Sequence, residues 1–354
     1  MTADRPFVHV FATFGAGGPQ IRAVQLLAAL GPGRRHVVVA MDGRTEALAQ
    51  VPQGLAVRCV PPPPRAGMLA TVRALRTLLR AERPALVLTY NWGAIEAVWA
   101  ARSAGLPLVH HEDGFLPDEA VRRLRRRSWL RRWLLARVPV VVPSAVLRGI
   151  ATREWHLGNV HHLPNGVDLE RFRPAPAPAA CLVGTVGGLR PEKDHDTLLR
   201  ALAELPMARA ELVGAGPLEG ALRSTAAALG LADRVQFAGA THDTAACYQR
   251  FGVFVLSSAT EQLPLVLLEA MASGLPVVAT DVGDVRATLP EGSRRFVVPP
   301  RAPQALAKAL AELLADPALR ATLGAANRAA AEQRFDARTC LSRFLDLYAR
   351  TARG

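Results

Sequence analysis

The chain has 354 residues, half of them hydrophobic, which is enough for about two domains with separate cores at roughly 150 residues each. Its formal net charge of +13 indicates an anionic partner, which could be nucleic acid, anionic lipid or an anionic substrate. Three tyrosines and eleven phenylalanines are few for a platform that stacks single strands, so we expect no nucleic-acid partner.

The sequence lacks the patterns of secretion, membrane spanning and metal binding. Its four cysteines are scattered without C-x-x-C spacing, and no histidines cluster at metal-ligand spacing. The first residues, M-T-A-D-R-P-F-V-H-V, do not have the basic-then-apolar layout of a signal peptide. No apolar run reaches the ~20 residues of a spanning helix. We therefore expect a cytoplasmic protein with reduced thiols.

Apolar runs of strand length alternate with helical segments along the chain. In the first half, strands are predicted at 7–12, 37–41, 86–89, 106–109, 138–142 and 160–163, and helices at 21–30, 71–80 and 94–104. A Pro/Ala-rich stretch at 173–179 predicts a stiff linker. Behind it, strands are predicted at 181–186, 211–213, 235–237, 253–256, 276–279 and 296–298, with a helical tail from 303. This alternation predicts an α/β protein with parallel sheets.

One segment, S-S-A-T-E-Q-L-P-L-V-L-L-E-A-M-A-S-G, places two carboxylates around a helix start. Glu261 follows the strand at 253–256, and Pro264 between Leu263 and Leu265 opens a helix that is apolar almost all round. Glu269 lies in that buried helix, where a charge needs a partner. A helix N-terminus that binds anions, beside a carboxylate that accepts two hydroxyl hydrogens, fits a nucleoside diphosphate with its ribose. The alternative is a solvated loop glutamate and a helix glutamate paired to an arginine.

This segment resembles the acid-x7-acid signature of retaining nucleotide-sugar glycosyltransferases of the GT-B fold, family 4 (group 1). The resemblance covers nearly the whole chain and includes N-G-V-D-x-x-x-F at Asn165–Phe172. It implies two facing Rossmann-like α/β domains with parallel sheets and a cleft between them. Residues 1–173 would form the acceptor-side domain, 174–335 the nucleotide-sugar domain, and 336–354 a helix that crosses back to the first domain.

A glycine-rich turn with two cations follows the first strand of the second half. Gly187 and Gly188 bring backbone close to a ligand, and Arg190 and Lys193 suit a diphosphate leaving group. The family usually shows G-R-L-x-x-x-K, so Arg190 would replace the arginine missing at Gly188. Gly214 and Gly216 match a further donor-side loop of the family. The alternative is a solvated basic loop.

The triplet Asp194-His195-Asp196 follows directly and has two interpretations. In another class of glycosyltransferase such a triplet holds a divalent metal, whereas before T-L-L it is better explained as a helix N-cap. We expect no metal and no cofactor, because side chains already supply the cations and the nucleotide-sugar is a co-substrate. On the resemblance, Glu261 binds the donor sugar rather than acting as a nucleophile.

Two stretches of the first half are further candidates. Gly17 and Gly18 lie in a loop after the first strand that weakly mimics a dinucleotide fingerprint, and the resemblance implies that it lines the cleft near donor and acceptor. The alternative is a plain tight turn. His110 and His111 follow the strand at 106–109, where family members often carry a histidine that contacts the donor. Alternatively, one or both histidines satisfy loop carbonyls.

The resemblance implies an enzyme that transfers a sugar from a nucleotide-diphosphate-sugar to a saccharide or lipid-linked acceptor, with retention, in cell-envelope or polysaccharide biosynthesis. The alternatives are a nucleotide-sugar epimerase or phosphorylase of the same fold. A third is a basic membrane- or nucleic-acid-binding protein without activity.

The segment Arg122–Arg137 is densely basic and carries Trp129 and Trp133 one turn apart, with Leu130 and Leu134 at the same spacing. This pattern predicts a helix on an anionic membrane surface, and hence a peripheral protein on the inner face of the cell membrane. The alternatives are a solvated helix whose Trp and Leu pack on the core, and a stripe that binds nucleic acid.

Overall fold

The computed structural model describes residues 5–15, 17–115, 124–175, 182–241 and 243–353. The chain forms two compact units: Met1–Asn165 with Thr339–Gly354, and Gly166–Arg338. The predicted linker at 173–179 and the predicted strand start at 181 extend outside the described residues, as do Arg122 and Arg123. None of the helices in the described ranges is long and apolar enough to cross a bilayer.

The described part of the first unit has a seven-stranded parallel sheet in the order β3-β2-β1-β4-β5-β6-β7. The strands are β1 Phe7–Phe11, β2 His36–Ala40, β3 Val57–Cys59, β4 Leu86–Tyr90, β5 Leu108–His111, β6 Val140–Val142 and β7 Val160–His162. The helices are α1 Gly18–Leu30, α2 Met68–Glu82, α3 Ile95–Ser103, α4 Arg125–Leu135 and α5 Ala145–Arg153.

The described part of the second unit has a six-stranded sheet in the order β10-β9-β8-β11-β12-β13, also parallel. The strands are β8 Leu182–Val186, β9 Arg209–Val213, β10 Val235–Gly239, β11 Val253–Leu256, β12 Val277–Thr280 and β13 Val297–Val298. The helices are α6 His195–Ala203, α7 Glu219–Ala228, α8 Thr244–Tyr248, α9 Leu265–Ala272, α10 Val285–Thr288, α11 Pro303–Ala315 and α12 Pro317–Arg334. The last helix, α13 Ala337–Arg353, lies mostly in the first unit.

The central strands of each sheet are buried on both faces. In β1, Val8 and Val10 belong to one apolar cluster, whereas Phe7 and Phe11 belong to the cluster on the opposite face. The second cluster also contains Phe344 and Tyr348 of α13. Helices on both sides of parallel strands explain why the strands are continuous apolar runs, as the sequence predicts. The predicted fold class, α/β with two parallel sheets, is confirmed.

Four elements have no counterpart in the predicted pattern: β3, α5, α8 and α10. The prediction also ended the fourth strand at residue 109, whereas β5 continues to His111. His110 and His111 pair in register with Thr89 and Tyr90 of the neighbouring strand, so both histidines belong to the sheet itself.

Candidate active site

Lys193 and Glu261 meet at the carboxyl ends of two neighbouring strands of the second unit. Lys193 ends a short 3-10 turn, Pro191–Lys193, that follows β8, and Glu261 lies in the loop after β11. Because β8 and β11 are parallel neighbours, both loops leave the sheet at the same edge. Lys193 Nζ lies 2.5 Å from Glu261 Oε1, and the side chains are 24% and 12% exposed. The pair is therefore sheltered but accessible.

Further hydrogen bonds hold these two loops together. Ser258 Oγ donates to Glu261 Oε1 at 2.8 Å, and Ser257 Oγ donates to the Lys193 carbonyl at 2.9 Å. The Ala259 amide donates to the Glu192 carbonyl, also at 2.9 Å. The paired serines, which the sequence marks only as the end of a strand, thus orient both members of the ion pair.

Gly283 supports the Glu261 loop from behind and was not anticipated from the sequence. Its φ is +52°, and a Cβ placed there would lie 2.4 Å from the Glu261 carbonyl and 2.5 Å from the Gln262 carbonyl. The Asp284 amide donates to the Gln262 carbonyl at 2.9 Å. Only glycine satisfies both the left-handed conformation and this close approach.

The four predicted glycines lie in the loops after β8 and β9, and Gly187 lies beside Lys193. Gly214 has a φ of +146°, and a Cβ on it would lie 1.9 Å from the Gly187 carbonyl. A Cβ on Gly216 would lie 2.4 Å from the Leu189 carbonyl. These glycines allow the loops after β8 and β9 to touch backbone to backbone. A Cβ on Gly187, in contrast, would meet only the Lys193 side chain, at 3.9 Å, so there is room over this backbone.

Arg190 precedes the turn that carries Lys193. Its side chain is exposed and packs over Gly188, where a Cβ would lie 3.2 Å from its Nε. No carboxylate in the described part of the chain pairs with it. Its guanidinium remains available for an anion that binds above the glycines.

The D-H-D triplet has its carboxylates engaged elsewhere. Asp194, with a φ of +46°, is the N-cap residue of α6, but its Oδ2 accepts from the Thr197 hydroxyl at 2.7 Å rather than from the backbone. Asp196 pairs with Arg200 one turn along the helix at 2.6 Å. His195 is buried, and burial with the nearby Lys193 charge lowers its pKa to about 4. Among the described residues, no three side chains form a metal-binding cluster.

Glu269 has a hydrogen-bond partner that the sequence does not point to. Pro264 is the N-cap of α9, and Leu263 and Leu265 are buried beside it, so only their backbone can face a ligand. Tyr248 Oη donates to Glu269 Oε2 at 2.8 Å. Burial raises the pKa of Glu269, and the hydrogen bond from Tyr248 and the charge of Arg171 oppose that shift.

In the first unit, Gly17 is the N-cap and Gly18 the first residue of α1. Gly17 is extended, and a Cβ on it would meet Gln20 Oε1 at 2.7 Å. Gln20, the residue at the place of the third fingerprint glycine, donates from Nε2 to the Thr13 carbonyl at 3.0 Å. These contacts define a tight start of the helix.

His110 and His111 lie in the interior of the first unit rather than at its surface. Both are 0% exposed. His110 Nδ1 lies 2.8 Å from Thr89 Oγ1, and His111 Nε2 lies 2.7 Å from Tyr348 Oη. Burial, with the nearby Arg22 charge, holds the pKa of His111 well below its usual range. The strand extends two residues further than predicted and buries both side chains, and the contact of one of them with the donor sugar stays a prediction.

Arg131, inside the predicted membrane segment, is also buried and corrects part of that prediction. It is 0% exposed, its Nε donates to Glu112 Oε2 at 3.1 Å, and it lies over the rings of Trp92 and Trp155. Burial would raise the pKa of Glu112, but the charge of Arg131 and the hydrogen bond with His110 outweigh it and lower that pKa. Leu134 of the same helix belongs to the core.

Lys193 and Glu261, which the resemblance assigns to the donor site of a glycosyltransferase, lie together beside open glycine backbone. Comparisons with known proteins agree with this class. A family model described as glycosyl transferases group 1 matches residues 168–330, and one described as a glycosyl transferase 4-like domain matches residues 17–166. A D-inositol 3-phosphate glycosyltransferase of Frankia alni is 32% identical, over 90% of this chain and 91% of its own length. The chain belongs to the glycosyl transferase group 1 family.

Other relatives match over a shorter stretch. A GDP-mannose-dependent alpha-(1-6)-phosphatidylinositol monomannoside mannosyltransferase of Mycobacterium tuberculosis is 36% identical over 48% of this chain. The match spans 50% of that relative's own length.

Two solved structures share the fold. HepE of Anabaena, in complex with UDP and glucose, superimposes with a TM-score of 0.84 at 23% identity, over 97% of this chain and 99% of its own. Sucrose-phosphate synthase of Thermosynechococcus elongatus superimposes with a TM-score of 0.81 at 24% identity, over 98% of this chain and 99% of its own. The predicted GT-B fold is confirmed.

Proposed function

We propose that this enzyme transfers a sugar from a nucleoside-diphosphate-sugar to a saccharide or lipid-linked acceptor of the cell envelope, with retention of anomeric configuration. The observation that carries this proposal is the Lys193–Glu261 ion pair, sheltered at the carboxyl ends of β8 and β11 beside the open backbone of Gly187. Retention is the stereochemistry implied by the family resemblance.

The two cations act on the leaving group. When the bond between the sugar C1 and the diphosphate oxygen breaks, its electron pair stays on the diphosphate, whose negative charge grows. Lys193 and Arg190 meet that charge, so their interaction is strongest in the transition state. An ammonium has three donors, and the contact with Glu261 uses one of them.

Glu261 binds hydroxyls of the donor sugar. Its Oε1 already accepts from Lys193 and Ser258, which fixes the carboxylate as an acceptor and disfavours nucleophilic attack from that oxygen. The acceptor hydroxyl oxygen then bonds to C1 on the face that the diphosphate leaves, and its proton passes to a leaving phosphate oxygen. Glu269 accepts hydroxyl hydrogens of the ribose.

No metal takes part in this scheme, because side chains supply the positive charge and both D-H-D carboxylates have other partners. We expect turnover to persist in EDTA and to survive Asp196→Asn, since Asp196 pairs with Arg200 on an exposed turn. A strict requirement for Mn²⁺ or Mg²⁺ that Asp196→Asn removes would instead assign the triplet to a metal.

The names of the relatives support the class of substrate. Those relatives include a GDP-mannose-dependent enzyme of phosphatidylinositol mannosides and inositol-phosphate glycosyltransferases, whereas HepE was crystallised with UDP. A thermal-shift panel of UDP-, GDP- and ADP-sugars identifies the base, since a ligand at 100 times its Kd adds about 2.7 kcal/mol of stability. No shift with any nucleotide-sugar would contradict the proposal.

The lysine content allows a direct test of Lys193. The chain contains 43 lysines and arginines, of which only Lys193 and Lys308 are lysines. Lys308 is exposed on α11 and serves as an internal control. Limited acylation followed by peptide mass spectrometry should show that the bound nucleoside diphosphate protects Lys193 and leaves Lys308 unchanged. Equal labelling of Lys193 with and without nucleotide would remove it from the donor site.

We also propose that the exposed face of α4 binds an anionic membrane surface. Trp129 and Trp133 are 64% and 48% exposed, and their rings stack with centroids 6.4 Å apart. Arg125, Arg126 and Arg132 are exposed on the same helix, while Arg131 and Leu134 face inward. Aromatic rings flanked by arginines suit the headgroup boundary. This surface would bring the enzyme to a lipid-linked acceptor.

A further inference from the structure

Tyr248 is a buried residue whose hydroxyl reaches the proposed ribose site. It ends α8 and is 0% exposed, with its ring packed among Phe172, Phe251 and Phe254 at centroid distances of 5.7, 5.9 and 5.6 Å. Its Oη lies 2.8 Å from Glu269 Oε2 and 3.2 Å from the Val266 carbonyl. A hydroxyl has one hydrogen to donate. The carboxylate of Glu269 lies closer than the Val266 carbonyl and is the stronger acceptor, so it receives the hydrogen bond.

This hydrogen bond orients the glutamate. A free glutamate side chain turns about three bonds, and holding Oε2 fixes the plane of its carboxylate and the direction of Oε1. Within the described residues, no other side chain or amide hydrogen-bonds to this carboxylate. Glu269 keeps partial exposure, so Oε1 can accept from a ligand.

We propose that Tyr248 is the positioning residue that makes Glu269 selective for ribose over 2′-deoxyribose. The inference rests on the proposed function, in which Glu269 accepts the ribose hydroxyls. The packing of the aromatic ring fixes the position of the Tyr248 hydroxyl, and the hydroxyl holds Oε2 of Glu269. Oε1 then points in a single direction, in which it accepts a hydrogen bond from the 2′-hydroxyl. Tyr248 does not contact the nucleotide.

The test is a comparison of two ligands by calorimetry. The probes are UDP with 2′-deoxy-UDP, or GDP with 2′-deoxy-GDP, according to the base that stabilises the protein. The wild type should bind the ribonucleotide roughly tenfold or more tightly, because a deoxy ligand leaves the oriented acceptor unpaired. Tyr248→Phe keeps the ring packing and removes only the hydroxyl. It should lower the ratio of ribonucleotide affinity to deoxynucleotide affinity (the ribo-to-deoxy ratio) by about fivefold, mainly because the ribonucleotide binds more weakly.

A matched control separates this effect from the loss of any buried hydroxyl. Tyr348 is buried in the first unit and hydrogen-bonds His111 at 2.7 Å. Tyr348→Phe should leave the ribo-to-deoxy ratio unchanged. In a Glu269→Ala background, Tyr248→Phe should have no further effect on the ratio, because the hydroxyl of Tyr248 then has no side chain at position 269 to orient.

The outcomes distinguish the two proposals. Equal binding of ribo- and deoxynucleotide by the wild type shows that Glu269 does not accept from the 2′-hydroxyl, and it overturns the role of Tyr248 as well. A selective wild type whose ratio is unchanged by Tyr248→Phe overturns the positioning role alone. Should Tyr248→Phe fail to fold, Tyr248 is tested by Glu269→Asp. This change withdraws the carboxylate from Oη and must lower the ratio, and an unchanged ratio overturns the positioning role.

Discussion

The ammonium of Lys193 lies 2.5 Å from Glu261 Oε1 although the two residues are 68 positions apart in the chain. The order of the strands brings them together, because β8 and β11 are parallel neighbours that end at one edge of the sheet. Ser258 donates to the same oxygen, so Glu261 Oε1 accepts from both Lys193 and Ser258.

The first prediction concerns Lys193. Lys193→Ala should lower kcat by about 10²- to 10³-fold, because the charge that it stabilises is largest in the transition state. Lys308→Ala, which removes the chain's other lysine from an exposed helix position, is the matched control and should keep wild-type kinetics. The measurement is the steady-state kcat of the wild type and both variants, with the donor that the thermal-shift panel identifies. A Lys193→Ala enzyme within threefold of wild type would contradict the assignment.

The second prediction concerns Gly283. Gly283→Ala should displace the Glu261 loop, since the added carbon would lie 2.4 Å from the Glu261 carbonyl in a backbone conformation that alanine disfavours. We expect a loss of turnover of at least tenfold with little change in the far-UV circular dichroism. Gly220→Ala is the control in the same unit, because a Cβ there meets nothing within 4 Å. Equal activity of the two variants would show that the loop tolerates the shift.

The third prediction contrasts two adjacent arginines of α4. Arg131→Gln breaks a buried ion pair and should lower the free energy of unfolding by about 3–5 kcal/mol, whereas Arg132→Gln changes an exposed side chain and should cost less than ~0.5 kcal/mol. The five tryptophans, residues 92, 99, 129, 133 and 155, all lie in the first unit. Urea unfolding followed by tryptophan fluorescence therefore reports on the unit that carries both changes. Similar urea midpoints of unfolding for the two variants would contradict a stabilising role of the buried Arg131–Glu112 pair.

The fourth prediction concerns membrane binding by α4. Sedimentation with liposomes should require anionic lipid and weaken with salt, with each arginine near the surface contributing about 1 kcal/mol. Changing Arg125, Arg126 and Arg132 to Glu should abolish binding. Arg131 is left unchanged because it is internal. Equal recovery in the supernatant with neutral and anionic vesicles at low salt would rule out the membrane surface.

The control for this experiment lies on another helix of the same unit. Arg73, Arg80 and Arg83 are exposed on and beside α2, without tryptophans next to them in the sequence. Their change to Glu alters the net charge by the same amount. If both triple variants lose binding equally, the net charge of the protein causes the binding. The proposal that the exposed face of α4 binds the membrane would then be wrong.

The class of fold and the elements that carry the candidate site follow from composition and local spacing alone. Strands buried on both faces must be apolar runs, and the helix after Pro264 must be buried, because their composition leaves no polar face. The glycines, Lys193, Glu261 and Glu269 stand in contiguous motifs, so local spacing was enough to find them. Short or half-exposed elements such as β3 carry too few apolar residues to show a period, and they were missed.

Which polar side chains face inward depends on contacts between segments that are distant in the sequence. His110 and His111 sit at the end of an apolar run, and two more residues of strand pairing move them from a loop into the sheet. Arg131 looks like its basic neighbours in the sequence, yet Glu112 of another segment makes its burial tolerable. Tyr248 and Gly283 gain their roles from contacts with residues about twenty positions away. Such pairings depend on the order of strands and the packing of loops, which no local periodicity encodes.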